Sequence, residues 1–316
     1  MNENKAHHYA NKNGMEKIAG TLMNEERPMK EAEINTSEQP KAEVRLICLD
    51  IDGTLLNSGQ EITRETREAV NLARGRGIHV TIATGRMFGS AAGPARELEI
   101  VEPLITLNGA CMRKLEEETG LRDLPMDRKT LGEAVKALLE LGLKPSFYSG
   151  HTLYIGDRLE RYQKMLERMG DPRYRIQIID ARYRFEDMLR ERDLRIRKGI
   201  LFPQPGQQEA AWHALKKIPG LSVVSSSSET IEFSHREANK GSAVLQLAKR
   251  LSVGPGEIMA IGDSDNDLSM LNVAGFSVAM GNASEEIRNT ARFVTEDNDN
   301  DGVARAIRRH ALGEIC

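Results

Sequence analysis

The residues best suited to chemistry fall into four polar clusters: D-I-D-G-T at 50–54, T-G-R at 84–86, N-K-G at 239–241 and G-D-S-D-N-D at 262–267. In the first, Asp50 and Asp52 are two residues apart. Side chains at i and i+2 of a strand share a side, which predicts two carboxylates facing one way, roughly 7 Å apart along the chain. Gly53 lets the chain turn sharply and bring an N–H close to a ligand. An Asp-Gly turn at a strand end is common, so this cluster alone specifies no more than a turn. The last cluster adds Asp263, Asp265 and Asp267, which alone read as a solvated loop with a helix cap before L-S-M-L. Together the two clusters say more. Carboxylates gathered at one point repel, each close pair by about 4 kcal/mol at 4 Å and an effective dielectric of 20. A hard cation with oxygen ligands removes that cost. A few carboxylates plus a phosphate group is the usual way of holding magnesium.

Thr84 and Lys240 supply what a phosphoryl group needs. Its charge spreads over its oxygens in transfer and calls for donors and cations around it. A hydroxyl at a strand end and an ammonium at a helix start provide both. Taken singly, Lys240 reads as a surface lysine and Thr84 as a turn residue; order and placement make them informative.

The elements that must position these clusters follow from the apolar pattern. V-R-L-I-C-L-D-I-D, from Val44, reads as a buried strand. Thr63 to Arg76 reads as a helix capped by Thr63. Apolar runs at Ile78–Ala83 and Leu104–Leu107 end in T-G-R and N-G-A. Near the C-terminus the alternation returns: helix Lys240–Leu251, strand Glu257–Ile261, helix Asp267–Val273, strand Ser277–Met280, helix Glu285–Thr290, strand Phe293–Thr295, helix Gly302–Arg309. Strands alternating with helices predict a doubly wound, mostly parallel α/β sheet with right-handed crossovers. All four clusters lie just after predicted strands or at a helix start, and ligands of such sheets bind beyond the carboxyl ends of the strands.

Residues 112–232 read differently, as an inserted α+β domain. Its expected elements are helix Leu131–Leu141, a hairpin of 146–149 and 152–155 about Gly150-His151, helix Leu159–Met169, strands at 176–179 and 198–202, helix Gln207–Lys216, and strands at 222–225 and 230–233. Residues 1–43 are polar without sustained apolar period and are expected to be a disordered arm, with helical turns near Met15–Met23. The His7-His8 pair in it is expected to bind nothing specific.

The 316 residues, 40% apolar and 29% charged, suit a soluble protein of one large or two modest domains. A net charge of −3 gives no nucleic-acid footprint. The absence of a long apolar run argues against a membrane span. Cys48, Cys111 and Cys316 form neither a disulfide framework nor a zinc pair, which points to a reducing cytoplasm.

With these residues in place, the chain resembles the haloacid dehalogenase superfamily of phosphatases, and within it the Cof-type hydrolases with a large α/β cap. D-I-D-G-T-L, T-G-R, N-G-A, N-K-G and G-D-S-D-N-D match that family's motifs in order, over about residues 44–310. The resemblance implies a Rossmann-like catalytic core from 44–111 and 233–316, and a cap over 112–232 that sets substrate specificity. It implies that Asp50 attacks phosphorus to form an aspartyl phosphate, and that Asp52 protonates the leaving oxygen, its pKa raised by neighbouring carboxylates. Thr84 and Lys240 would hold the phosphate. Mg2+ would sit on Asp50, the backbone carbonyl of Asp52 and Asp263, with Asp267 orienting that shell. Gly53, Gly85, Arg86, Asn108, Gly109 and Asn266 would border the substrate. The expected partner is a small phosphorylated metabolite such as a sugar phosphate or nucleotide. The alternatives are a phosphomutase of the same superfamily and a non-catalytic binding protein. Candidate cap contacts are Tyr148, His151 and Tyr154, with His235 and Arg236 close to Lys240 in sequence.

Overall fold

The computed structural model describes residues 43–314, apart from 118, 161, 165–172, 175, 182–187, 189, 192–193 and 227–228. The expected arm, including His7, His8 and the turns near Met15–Met23, lies outside the described residues. So do Cys316 and most of the helix expected at 159–169.

The main sheet is parallel. Its order is β14 (Phe293–Val294), β13 (Phe276–Ala279), β12 (Ile258–Gly262), β1 (Leu46–Leu49), β2 (His79–Ile82). The run L-I-C-L explains why β1 is central: every residue is fully buried, as both faces are covered. Ile47 and Leu49 pack on one side with Ala69, Val70 and Ala73 of α1 (Arg64–Gly75). Leu46 and Cys48 pack on the other with Ala243, Val244 and Leu247 of α5 (Lys240–Arg250). The Thr63 hydroxyl caps α1 by accepting the Thr66 N–H at 3.2 Å, as its position predicts. β3 (Leu104–Thr106) departs from expectation. It touches β2 through one parallel bridge, Ala83–Ile105, and pairs antiparallel with β4 (Cys111–Arg113), itself paired with β5 (Arg122–Asp123).

A second sheet has six strands. Its order is β10 (Leu221–Val224), β11 (Ile231–His235), β9 (Lys198–Leu201), β6 (Ser146–Ser149), β7 (Thr152–Ile155), β8 (Gln177–Asp180). One face carries Phe147, Tyr154, Leu201 and Phe233 beneath α3 (Arg128–Glu140) and α4 (Gln208–Lys216). The opposite face carries Tyr148, Leu153 and Ile200, packed on Met87, Leu107 and Ala238 of the first sheet's loops. The mixed α/β class with a parallel sheet is as the alternation predicts. No helix among the described residues is long and apolar enough to cross a membrane.

Candidate active site

β1 and β12 are hydrogen-bonded neighbours whose chains proceed to opposite sides, β1 toward β2 and β12 toward β13. Their carboxyl ends therefore flank the switch point where such sheets bind ligands. Asp50 leaves β1 there, its N–H donating to the Ile261 carbonyl at 3.1 Å. Asp263 leaves β12 directly opposite.

The strand premise for Asp50 and Asp52 does not hold. β1 stops at Leu49, and Ile51–Leu55 curls into a tight turn closed by the Leu56 N–H on the Ile51 carbonyl. Gly53 makes this turn at φ +74°, and a Cβ there would stand 2.5 Å from Asp263 Oδ2. Asp50 is buried, whereas Asp52 is exposed and turned to Arg86. Arg86 Nε donates to Asp52 Oδ2 at 2.8 Å and Nη2 to Oδ1. The carboxylate of Asp52 thus faces a guanidinium, where neighbouring carboxylates were expected.

Lys240 is wholly buried and joins two loops. Its Nζ donates to Asp50 Oδ1 at 2.7 Å and to Asp267 Oδ1 at 2.6 Å. A cation in the first turn of α5 opposes the helix dipole; the two carboxylates outweigh that. Asn239 caps α5 by accepting the Ser242 N–H at 2.7 Å. Gly241 has no room for a side chain against the backbone of Ser269. Both oxygens of Asp267 are engaged, for its Oδ2 accepts the N–H groups of Asp263 and Ser264, both at 3.0 Å. Asp263 Oδ1 accepts the Thr54 hydroxyl at 2.8 Å. Among the described residues, the second oxygens of Asp50 and Asp263 receive no protein hydrogen bond.

The electrostatics follow from burial. Burial drives the Asp50 carboxyl well above the usual carboxylate range; Lys240 pulls it back, while Asp267, Asp263 and Asp52 push it further up. Asp263 is pushed up to about 7, first by burial and then by Asp267, against Thr54 and Lys240. Burial would lower the Lys240 ammonium, yet Asp267 and Asp50 hold it above its ordinary value. One carboxylate oxygen from each of Asp50, Asp263 and Asp267 lies within 4.8 Å of the others. Three carboxylates against one ammonium leave two negative charges, which a divalent cation would neutralise. Oxygen donors with two unused lone-pair atoms suit magnesium, so the residues present fit that ion. The Asp52 carboxylate is not in the cluster.

Thr84 follows β2 and is buried, its hydroxyl oxygen accepting the Arg86 N–H at 3.2 Å. Because β2 is in register with β1, Thr84 sits at the same edge as Asp50. Asn108 is in the left-handed region at φ +55°, its N–H on the Thr84 carbonyl at 3.0 Å. Asn266 reaches it, Nδ2 donating to Asn108 Oδ1 at 3.2 Å. Gly109 packs on Asn239 with no space for a Cβ.

Of the candidate cap contacts, Tyr148 packs with Met87, Leu107 and Ala238 of the first sheet's loops. Tyr154 lies under the helices, its hydroxyl donating to Glu191 Oε2 at 3.4 Å. His151 borders a separate cavity of about 250 Å³ with Arg113, Arg122 and Arg197. His235 Nδ1 accepts the Glu237 N–H, and Arg236 is exposed. A cleft of about 580 Å³ does open beside Asp263 and Asp265, walled by Gln208 and Trp212 of α4 and by Ser225 and Thr230. These residues were missed, as were Lys198 and Glu232, both buried. The signal for the last two was a charge inside an apolar strand, K-G-I-L and I-E-F.

The family model for haloacid dehalogenase-like hydrolases matches residues 47–307. The chain belongs to this family. Two Bacillus subtilis relatives illustrate the likeness. Phosphatase YwpJ is 31% identical over 289 residues, covering 85% of this chain and 100% of its own. The 5-amino-6-(5-phospho-D-ribitylamino)uracil phosphatase YwtE is 31% identical over 296 residues, covering 86% and 100%. The solved structure of a haloacid dehalogenase-like hydrolase from B. subtilis matches with a TM-score of 0.74 at 29% identity, over 84% of this chain and 99% of that one. The chain is accordingly a hydrolase of the haloacid dehalogenase phosphatase type.

Proposed function

We propose that this hydrolase is a magnesium-dependent phosphatase of small phosphorylated metabolites, working through an aspartyl phosphate on Asp50. The observation that carries the reading is the buried Asp50–Lys240–Asp267 arrangement beside Asp263. It holds one oxygen of Asp50 on Lys240 and, among the described residues, leaves the other without a protein donor.

In the proposed reaction, Asp50 attacks phosphorus, the Asp50 Oδ–P bond forms and the bond from phosphorus to the leaving oxygen breaks. Asp52 gives its proton to that oxygen, then takes one from the water that attacks the aspartyl phosphate and releases Asp50. For this the Asp52 carboxyl must part from Arg86. Thr84 and Lys240 orient the phosphoryl oxygens. Asp50, Asp263 and the Asp52 carbonyl would hold magnesium, with Asp267 fixing Asp263 and Ser264 through their N–H groups. When bound, magnesium supplies positive charge to the phosphoryl oxygens and offsets the carboxylate repulsion.

We assign 44–111 and 233–316 to the catalytic core, 112–232 to the cap, and the activity to the reducing cytoplasm, in keeping with the free thiols of Cys48 and Cys111. The substrate class we favour is sugar phosphates, nucleotides and similar metabolites. The B. subtilis relative named for a phosphoribitylamino-uracil supports a phosphorylated polyol among them. A panel of phosphate esters with purified protein and magnesium tests this. Magnesium-dependent release of phosphate is expected, and hydrolysis that persists in full after EDTA treatment would contradict it.

A further inference from the structure

Two charged side chains of the second sheet reach into the loops of the first. Lys198 of β9 and Glu232 of β11 are both 3% exposed. Lys198 Nζ lies 3.0 Å from Glu232 Oε2 and donates to the Gly85 carbonyl at 2.7 Å. Asn108 Nδ2 donates to the same Glu232 oxygen at 2.6 Å, and Ser226 satisfies the other at 2.8 Å. Since Asn266 donates to Asn108, one buried chain of hydrogen bonds runs from the G-D-S-D-N-D loop through N-G-A to the second sheet and back to T-G-R. A Cβ on Gly85 would meet Asn108 Oδ1 at 2.9 Å, so the turn is also enclosed sterically.

An ion pair that only holds two sheets together has no need of the Gly85 carbonyl. That carbonyl belongs to the turn between Thr84 and Arg86, and its direction fixes the path of the backbone on which both side chains stand. Leu107 and Asn108, the neighbours of this turn, sit at φ +52° and +55°, where non-glycine residues are strained. Such a geometry persists only where surrounding contacts over-determine it.

We infer that Lys198 is a positioning residue for the phosphate-binding turn: with Glu232 as its counter-ion, it fixes the Gly85 carbonyl and so sets Thr84 and Arg86 for phosphoryl transfer. The inference rests on the proposed phosphate-binding role of Thr84. Displacing a binding group by even about 1 Å costs up to about a hundredfold in rate, which sets the size of the effect.

The test uses Lys198→Met, Glu232→Gln and the double variant, with three readouts: melting temperature, affinity for inorganic phosphate by calorimetry in magnesium, and kcat on p-nitrophenyl phosphate. Lys198→Met is expected to melt lower, because Glu232 loses its counter-ion, and to lose about ten- to a hundredfold in phosphate affinity and kcat. The double variant removes both charges and is expected to regain melting temperature without regaining either functional value. Glu232→Gln keeps the ammonium on Gly85 and is expected to lose less phosphate affinity than Lys198→Met. A double variant with wild-type phosphate affinity and kcat would overturn the inference and leave the pair as a fold contact. So would a Glu232→Gln variant as impaired as Lys198→Met. The phosphatase reading is judged separately: wild-type protein that binds phosphate but releases none from any ester counts against that reading, whereas the positioning role is read from variant-to-wild-type affinity ratios.

Discussion

Arg86 grips Asp52 with two guanidinium nitrogens, and the pair is lopsided: the Arg86 side chain is 8% exposed and that of Asp52 is 55% exposed. The buried partner is thus the anchor and the carboxylate the part able to move. In the proposed mechanism Asp52 is the acid, so Arg86 governs where that acid waits. Arg86→Ala should slow an alkyl phosphate, whose leaving oxygen needs a proton, by about ten- to a hundredfold. It should slow p-nitrophenyl phosphate, whose leaving group needs little help, much less. The ratio of kcat values on the two esters checks this; an equal loss on both would separate Arg86 from the acid.

Gly53 carries two constraints at once, a left-handed φ of +74° and the nearness of Asp263 Oδ2. Gly53→Ala should cost about 1–3 kcal/mol from backbone strain alone and weaken magnesium binding by displacing Asp263. Thermal melting and metal titration measure the two effects. An alanine variant with unchanged melting temperature would show that the turn adapts.

Removing the buried ammonium should cost more than removing most surface charges. Lys240→Met leaves Asp50 and Asp267 facing each other in the interior, a situation that costs about 3–5 kcal/mol when one partner of a buried pair is lost. Melting in EDTA should show the drop. A variant that melts at the wild-type temperature would mean that Asp50 and Asp267 simply take up protons.

Part of the pH dependence of the metal-free protein comes from Asp263, pushed up to about 7 by burial. An ordinary Asp in the unfolded chain titrates near 3.8. Between these values the folded protein holds a proton that the unfolded chain has released. The contribution of Asp263 to stability therefore falls as pH rises from about 4 to about 7 and levels off above. Asp263→Asn should make that segment of the melting-temperature profile in EDTA less steep, leaving the fall due to Asp50, which burial also drives up. A wild-type profile that rises across this interval, with the other carboxylates accounted for by the Asn variant, would contradict the assignment.

Sequence alone carried the parallel sheet and the placement of the motifs, because those depend on local patterns: a fully apolar L-I-C-L, a Thr63 cap, a glycine after each polar turn. It did not carry what depends on pairing across the chain. Asp50 and Asp52 were expected to share a side through strand alternation, yet β1 ends at Leu49 and the turn at Gly53 sends them apart. The hold of Arg86 on Asp52 is likewise a contact across the chain. Tyr154 was set beside Tyr148 as a substrate contact, but their strand positions differ by one register step, which turns Tyr154 to the helices. Lys198 and Glu232 meet Gly85 and Asn108 over more than a hundred residues of chain; no local pattern encodes such a contact.

The central claim is that Asp50 is the nucleophile, and one comparison tests it most directly: kcat of wild type and of Asp50→Asn on p-nitrophenyl phosphate in magnesium, with melting temperature confirming that both are folded. An amide neither attacks phosphorus nor holds magnesium as a carboxylate does. The account predicts a loss of several orders of magnitude, as for other removed nucleophiles. A folded Asp50→Asn enzyme that keeps more than about a hundredth of the wild-type rate would contradict it.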